Sequence, residues 1–255
     1  MNSLLRRRGR YRRLAPLAGV VIAGCTDAGA DAPRLPAHQY VIGVDISGSR
    51  TPTQLQEAGR LINGMIGRMQ NGDRLVLVET YRANNDAARQ FDDSIPPARR
   101  PDKPTGSDRK KVAYFQNSAR IIAQGFVDPK RSKTIMSTDL LMTLQRAADY
   151  ARSGGGRSTT LLLLSDMLNS TPELNMERAG GIPDSAWIAK LQVQGRMPDL
   201  RGVCVFAVGG DVRTSRGAAA RRFWKAYLAA AGATYSDERN YRNMVADAAE
   251  VGCAS

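Results

Sequence analysis

Histidine occurs once in the 255 residues, at His38. A zinc site built on several imidazoles is therefore excluded, and the position of His38 in the expected tether argues against a Ser-His-Asp triad. Cysteine occurs three times, at Cys25, Cys204 and Cys253, too few for a fold stapled mainly by disulfides. Aromatic residues make up only 6% of the chain. None is interleaved with the basic run Arg99, Arg100, Lys103, Arg109, Lys110 and Lys111 before Tyr114 and Phe115. That run therefore reads as a solvated loop, not as a stacking surface for nucleic acid. The glycine-rich "SGGGRST", residues 153–159, lacks the lysine of a phosphate loop and joins a helix to a strand instead of the reverse. Its glycines end a helix.

Acidic residues are missing from the first 24 positions, whereas six arginines lie in residues 6–13. Six of the formal +13 charges thus sit in this leader, which leaves +7 for the rest, a weak pointer to any anionic partner. The apolar stretch that follows, "LAPLAGVVIAG" at 14–24, is shorter than the roughly 20 residues of a membrane-spanning helix. It suits the apolar part of an export signal. "IAGC", ending at Cys25, resembles the bacterial lipobox, and that resemblance implies a lipidated Cys25 at a new N-terminus. The alternatives are an ordinary cleaved signal or an uncleaved anchor. Residues 26–38, rich in Ala, Asp and Pro, read as a tether, and the folded domain is expected over 39–255.

Within that span, apolar runs alternate with helical patterns. Strands are expected at "YVIGVD" (40–45), 74–80, 158–166 and 202–210, with a weaker edge strand at 88–96. Helices are expected at 52–69, 112–128, 137–152, near 184–194, at 215–231 and over 239–251, and a last short strand at 233–237. Residues 97–111 read as a Pro-rich basic excursion. The pattern is that of an α/β domain with a mostly parallel sheet and helices on both faces.

In such sheets ligands bind beyond the carboxyl ends of the strands. Asp45 and Asp166 each end a strand there, Ser47 and Ser49 follow Asp45 at two-residue intervals, and Thr138 stands at a helix start. Two carboxylates and three hydroxyls make an all-oxygen set suited to a hard cation such as Mg²⁺ or Mn²⁺. Taken singly, Asp45 and the serines could be turn residues and Thr138 a helix cap.

"DISGS" at 45–49, Thr138 in "STDL" and Asp166 in "LLLLSDM" resemble the metal-ion-dependent adhesion site of von Willebrand factor type A domains. The order and spacing of elements agree from about residue 40 onward. The resemblance implies a doubly wound sheet with one antiparallel edge strand. It implies direct metal ligation by Ser47, Ser49 and Thr138, with Asp45 and Asp166 acting through bound water. It further implies an open position for an acidic side chain of a partner protein. Two features depart from the pattern: Met167 stands where many members have glycine, and the segment before Thr138 is long and basic.

Three functions compete. The first is a lipid-anchored, non-enzymatic, metal-dependent binding module of the bacterial envelope, outside the cytoplasm. The second is a metal-dependent hydrolase on the same rim, for which no further base or nucleophile is evident. The third is a structural domain with a vestigial site. With Cys25 lipidated, Cys204 and Cys253 remain as an even pair that the doubly wound topology brings to the end of the sheet opposite the rim. A disulfide between them stands against a buried thiol at 204 and a frayed terminal residue at 253.

Overall fold

The computed structural model describes residues 37–81, 89–132 and 135–253. The leader, Cys25 and most of the tether lie outside the described residues. The chain forms β1 (His38–Val44), α1 (Pro52–Arg68), β2 (Arg74–Glu79), β3 (Gln90–Ser94), α2 (Gly106–Phe126) and α3 (Pro129–Ser132). Next come α4 (Leu140–Arg152), β4 (Ser158–Leu164), α5 (Ser185–Val193) and β5 (Val203–Val208). The last elements are α6 (Ser215–Ala230), α7 (Asp237–Asn240), β6 (Tyr241–Arg242) and a 3₁₀ turn at Ala248–Glu250.

The six strands lie in the order β3-β2-β1-β4-β5-β6, all parallel except β3, which runs antiparallel to β2. The winding reverses between β1 and β4, so the crevice at their carboxyl ends is the expected ligand position. Alternating side chains divide the core into two layers. Val41, Val76, Leu161, Leu163 and Val205 face α4, α5 and α6, whereas Ile42, Val44, Leu77, Leu162 and Phe206 face α1 and α2. Both faces are covered, which is why the central strands read as unbroken apolar runs. Gly43 lies where α4 crosses β1: a Cβ there would sit 2.8 Å from Cγ2 of Thr143, so no larger residue fits without moving the helix.

The helix starts follow from capping. Thr51 and Gln54 form a reciprocal capping box, with Pro52 at the first helical position. The same device shifts α2. Thr105 and Asp108 cap each other, so residues 106–111 are the first turns of the helix and not part of an irregular basic excursion, which shrinks to 97–105. His38 is also not tether. It opens β1, its amide donating to Asp73 Oδ1 at 2.8 Å and its ring Nε2 lying 2.9 Å from Thr160 Oγ1.

The C-terminal stretch departs furthest from expectation. The strand at 233–237 reduces to a single bridge between Thr234 and Cys204, and residues 239–251 form no continuous helix. Asn240 holds the chain in place by donating Nδ2 to the carbonyl of Val205 at 3.0 Å. After β6 the chain passes over α1, where Val245, Ala248 and Val251 pack, and turns once at the 3₁₀ helix capped by Asp247. It still returns to the amino ends of the strands, where Cys253 is bonded to Cys204 with Cα atoms 5.7 Å apart.

The disulfide closes a separation of 49 residues, for which loop-closure entropy gives stabilisation of up to about 4 kcal/mol. Cys253→Ser is expected to lower the unfolding free energy of the full-length protein in urea toward that extent. Dithiothreitol should do the same to the wild type and add nothing in the variant. Mass spectrometry after alkylation without reduction should find Cys204 and Cys253 unmodified; two modified thiols there would overturn the bridge.

Candidate metal centre at the sheet rim

Asp45 leaves β1 at its carboxyl end, anchored by its amide to the carbonyl of Leu164 at 2.9 Å. Its carboxylate is buried and its oxygens are occupied by three donors from three loops. Oδ1 accepts from the Ser47 amide at 2.9 Å and from Thr138 Oγ1 at 3.2 Å, and Oδ2 accepts from Ser165 Oγ at 2.7 Å. Ser47 Oγ lies 2.8 Å from Ser49 Oγ, and Ser49 Oγ donates to Asp166 Oδ2 at 3.1 Å. Asp45, Ser47, Ser49, Thr138 and Asp166 thus share one hydrogen-bonded network. Access is graded: Asp45, Ser47 and Thr138 are buried, Asp166 is half-buried and Ser49 is exposed.

Thr138 is not the cap of α4. Asp139 takes that role, accepting from the Met142 amide at 2.9 Å, which leaves the Thr138 hydroxyl free to face Asp45. The loop after β4 holds this junction in place. Ser170 Oγ accepts from the Thr138 amide at 2.8 Å, and Asn169 Oδ1 accepts from the Leu140 amide at 2.7 Å. On the other side Ser132 Oγ donates to the carbonyl of Ser47 at 3.0 Å. Ser165, Ser170, Asn169 and Ser132 escape a reading of the sequence, since each acts through a neighbour. The one available signal was the polar run "SDMLNST", 165–171, directly after an apolar strand.

Met167 has a left-handed backbone, φ 65°, the conformation that glycine adopts freely and other residues adopt at a cost of about 1–2 kcal/mol. Its side chain is fully buried, and its carbonyl accepts from Trp224 Nε1 at 2.8 Å. A buried methionine contributes about 2–5 kcal/mol over a truncated side chain, so packing outweighs the strain. The departure from glycine at this position is thereby accounted for.

Electrostatically the rim holds too much negative charge for its degree of burial. The Asp166 carboxyl is raised above the usual carboxylate range, first by burial and then by the charge of Asp45; the Leu168 amide, Arg50 and Ser49 oppose the rise. A hard cation would offset both the burial and the repulsion between the carboxylates, and two carboxylates with three hydroxyls are the donors such a cation takes. Among the described residues no group of three or more His, Cys, Asp and Glu side chains could hold an ion; this cluster reaches its donor number only through hydroxyls. His38, at the opposite end of β1, takes no part.

A carboxyl whose folded pKa is raised favours folding least when ionised. Below the unfolded value, about 3.9, both states hold the proton and there is no penalty. As pH rises through the window up to the folded value, the unfolded state releases its proton first and stability falls. Above that window the penalty is complete. Asp166→Asn should therefore raise the melting temperature of the metal-free protein at pH 7 and flatten this decline, measured by thermal denaturation in EDTA from pH 4 to 8. A melting temperature that falls instead would contradict the account.

No protein-family profile matches the sequence, and no curated protein is similar to it in sequence. Several solved structures are similar in fold. One is an aerotolerance-related membrane protein from Bacteroides fragilis, with 17% identity over 68% of this chain and 67% of that one, at a TM-score of 0.38. A second is the manganese-loaded TRAP protein of Plasmodium vivax, with 13% identity over 84% of this chain and 70% of that one, at a TM-score of 0.42. A third is a von Willebrand factor type A protein from Catenulispora acidiphila, with 14% identity over 77% of this chain and 43% of that one, at a TM-score of 0.37; the chain thus spans less than half of that protein. At these TM-scores and identities the likenesses carry no argument by themselves, and the fold is read from the chain's own topology. By its own strand order, its antiparallel edge β3 and the crevice between β1 and β4, the chain has the doubly wound fold of von Willebrand factor type A domains.

Proposed function

We propose that this protein is a metal-dependent protein-binding module, used in adhesion or assembly and anchored by lipid to a membrane of the bacterial cell envelope, facing an extracytoplasmic space. The observation that carries the reading is the continuous network joining Thr138, Asp45, Ser47, Ser49 and Asp166 at the switch point of the sheet. Ser47, Ser49 and Thr138 would ligate Mg²⁺ or Mn²⁺ directly, and Asp45 and Asp166 would act through its bound waters. The bound ion would supply a Lewis-acidic position for a carboxylate of a partner protein. Around it this chain's own residues do the positioning. Ser165 and the Ser47 amide fix the Asp45 carboxylate, and Ser170 fixes Thr138. The role we assign is binding, since among the described residues no general base or nucleophile is evident beyond the site's own carboxylates and hydroxyls.

Membrane attachment rests on Cys25 and the leader before it. No described helix is long and apolar enough to cross a membrane. Several acyl chains anchor a protein stably where a single one does not.

A ligand that binds only the native state raises its melting temperature by mass action. Millimolar Mg²⁺ should therefore stabilise the full-length protein by several degrees, and Asp45→Asn and Asp166→Asn should each suppress that gain. Capture of an acidic partner from a detergent extract of the envelope should be lost with EDTA and with the same variants. A correctly folded wild type that gives no shift with Mg²⁺ or Mn²⁺ would sink the metal reading.

Radiolabelled fatty acid should enter the wild-type protein and not Cys25→Ser, and the variant should leave the membrane fraction. Equal labelling of the two proteins would show that Cys25 is not the lipid attachment point.

A further inference from the structure

A second concave site lies beside the rim, on the α1 face. A cavity of about 450 Å³ opens between α1 and residues 243–248, the stretch that follows β6. Small-molecule sites span about 300–1,000 Å³. Its walls mix polar and apolar groups; the apolar side is formed by Ala58 and Leu61 from α1, Leu164 and Val208 from the ends of β4 and β5, and Val245 from the last stretch.

One charged group of the lining stands unmatched. Arg50 is only 7% exposed, and its Nε and Nη1 are buried without a hydrogen-bond partner. It forms no ion pair among the described residues. The other charged residues lining the cavity are matched: Arg60 faces Glu57 at 3.8 Å, Arg213 binds Asp211 at 3.0 Å, and Asp247 caps the 3₁₀ turn. The guanidinium is also fitted closely. Gly209 has φ 115°, and a Cβ there would lie 2.7 Å from Arg50 Nη1, so the β5–α6 loop is moulded around it. Guanidinium does not lose its proton in a protein. A buried cation with unfilled donors is strongly destabilising unless an anion meets it. Asp166 is near enough to feel its charge but is not bonded to it.

We propose that this cavity binds a small amphiphilic anion, with a carboxylate or phosphate headgroup on Arg50 and an apolar stem along Ala58, Leu61 and Val208. The guanidinium's planar fork of donors matches either headgroup, and its burial strengthens the contact. The site adjoins the metal ligands, since Arg50 follows Ser49 and its charge reaches Asp166, but none of those ligands lines the cavity.

The test is isothermal titration calorimetry on the full-length protein in EDTA, so that no anion binds through a metal. The probes are sodium hexanoate, hexyl phosphate, inorganic phosphate, 1-hexanol and hexylammonium. Hexyl phosphate, hexanoate or both should bind saturably, and which of them binds tighter identifies the headgroup. Inorganic phosphate, lacking the stem, should bind at least tenfold more weakly, as should the neutral and cationic probes. Arg50→Met should lose the anion's binding at least tenfold and melt higher than the wild type without ligand. Failure of both anions to bind, or equal binding by Arg50→Met, would overturn the proposal. Should Arg50→Met not fold, the wild type still decides: 1-hexanol or hexylammonium binding as tightly as hexyl phosphate would show that Arg50 selects nothing.

Discussion

The rim is organised by one buried carboxylate. Asp45 sits at the end of the central strand with almost no solvent contact, and a charge in that position is tolerable only if it is fully hydrogen-bonded. Three donors meet it, from its own loop, from the start of α4 and from the loop after β4. Each must hold its place for the carboxylate to remain satisfied, so the loops are fixed relative to one another through this residue. The serines and Asp166 extend the same network outward to water. The polar rim is therefore a continuation of the core's packing order and not an attachment to it.

Much of this was legible in the residues themselves. Apolar runs of strand length ending in aspartate marked β1 and β4, and the two-residue spacing of hydroxyls after Asp45 marked the loop that turns them together. Thr51-Pro52 marked the start of α1. What escaped was set by contacts distant in sequence or hidden in composition. Thr105 and Asp108 were submerged in a basic, Pro-rich stretch, yet they start a helix of 21 residues. His38 looks like tether until Thr160 and Asp73 are placed beside it. The helical spacing of Val245, Ala248 and Val251 was real, but those residues are laid on α1 by an irregular chain that β6 holds at one end and the disulfide at the other. Ser165 gives no signal of its own, because its function is to donate to a residue 120 positions earlier.

The two ends of the sheet are stabilised by different chemistry. At the carboxyl ends, charge and hydroxyl groups are concentrated, with Arg50 and Asp166 both held where burial disfavours them. At the amino ends a covalent bond, the Arg74–Asp92 ion pair and hydrogen bonds close the structure. Stability is thus supplied at one end while the other keeps groups in unfavourable surroundings, the usual arrangement where polar groups are poised for a ligand.

The register of β1 against β4 has a consequence for the order in which the domain forms. Gln39 pairs with Thr159, and Val44 with Leu164. Parallel pairing across so long a stretch of chain is slow, since loop closure must precede any contact. Until β4 has emerged, β1 has a neighbour on one edge only, and Asp45 ends a strand with neither Ser165 nor Leu164 to receive it. A chain that ends before β4 holds β1, α1 and β2, but the Asp45 network is incomplete until the fourth strand pairs with the first.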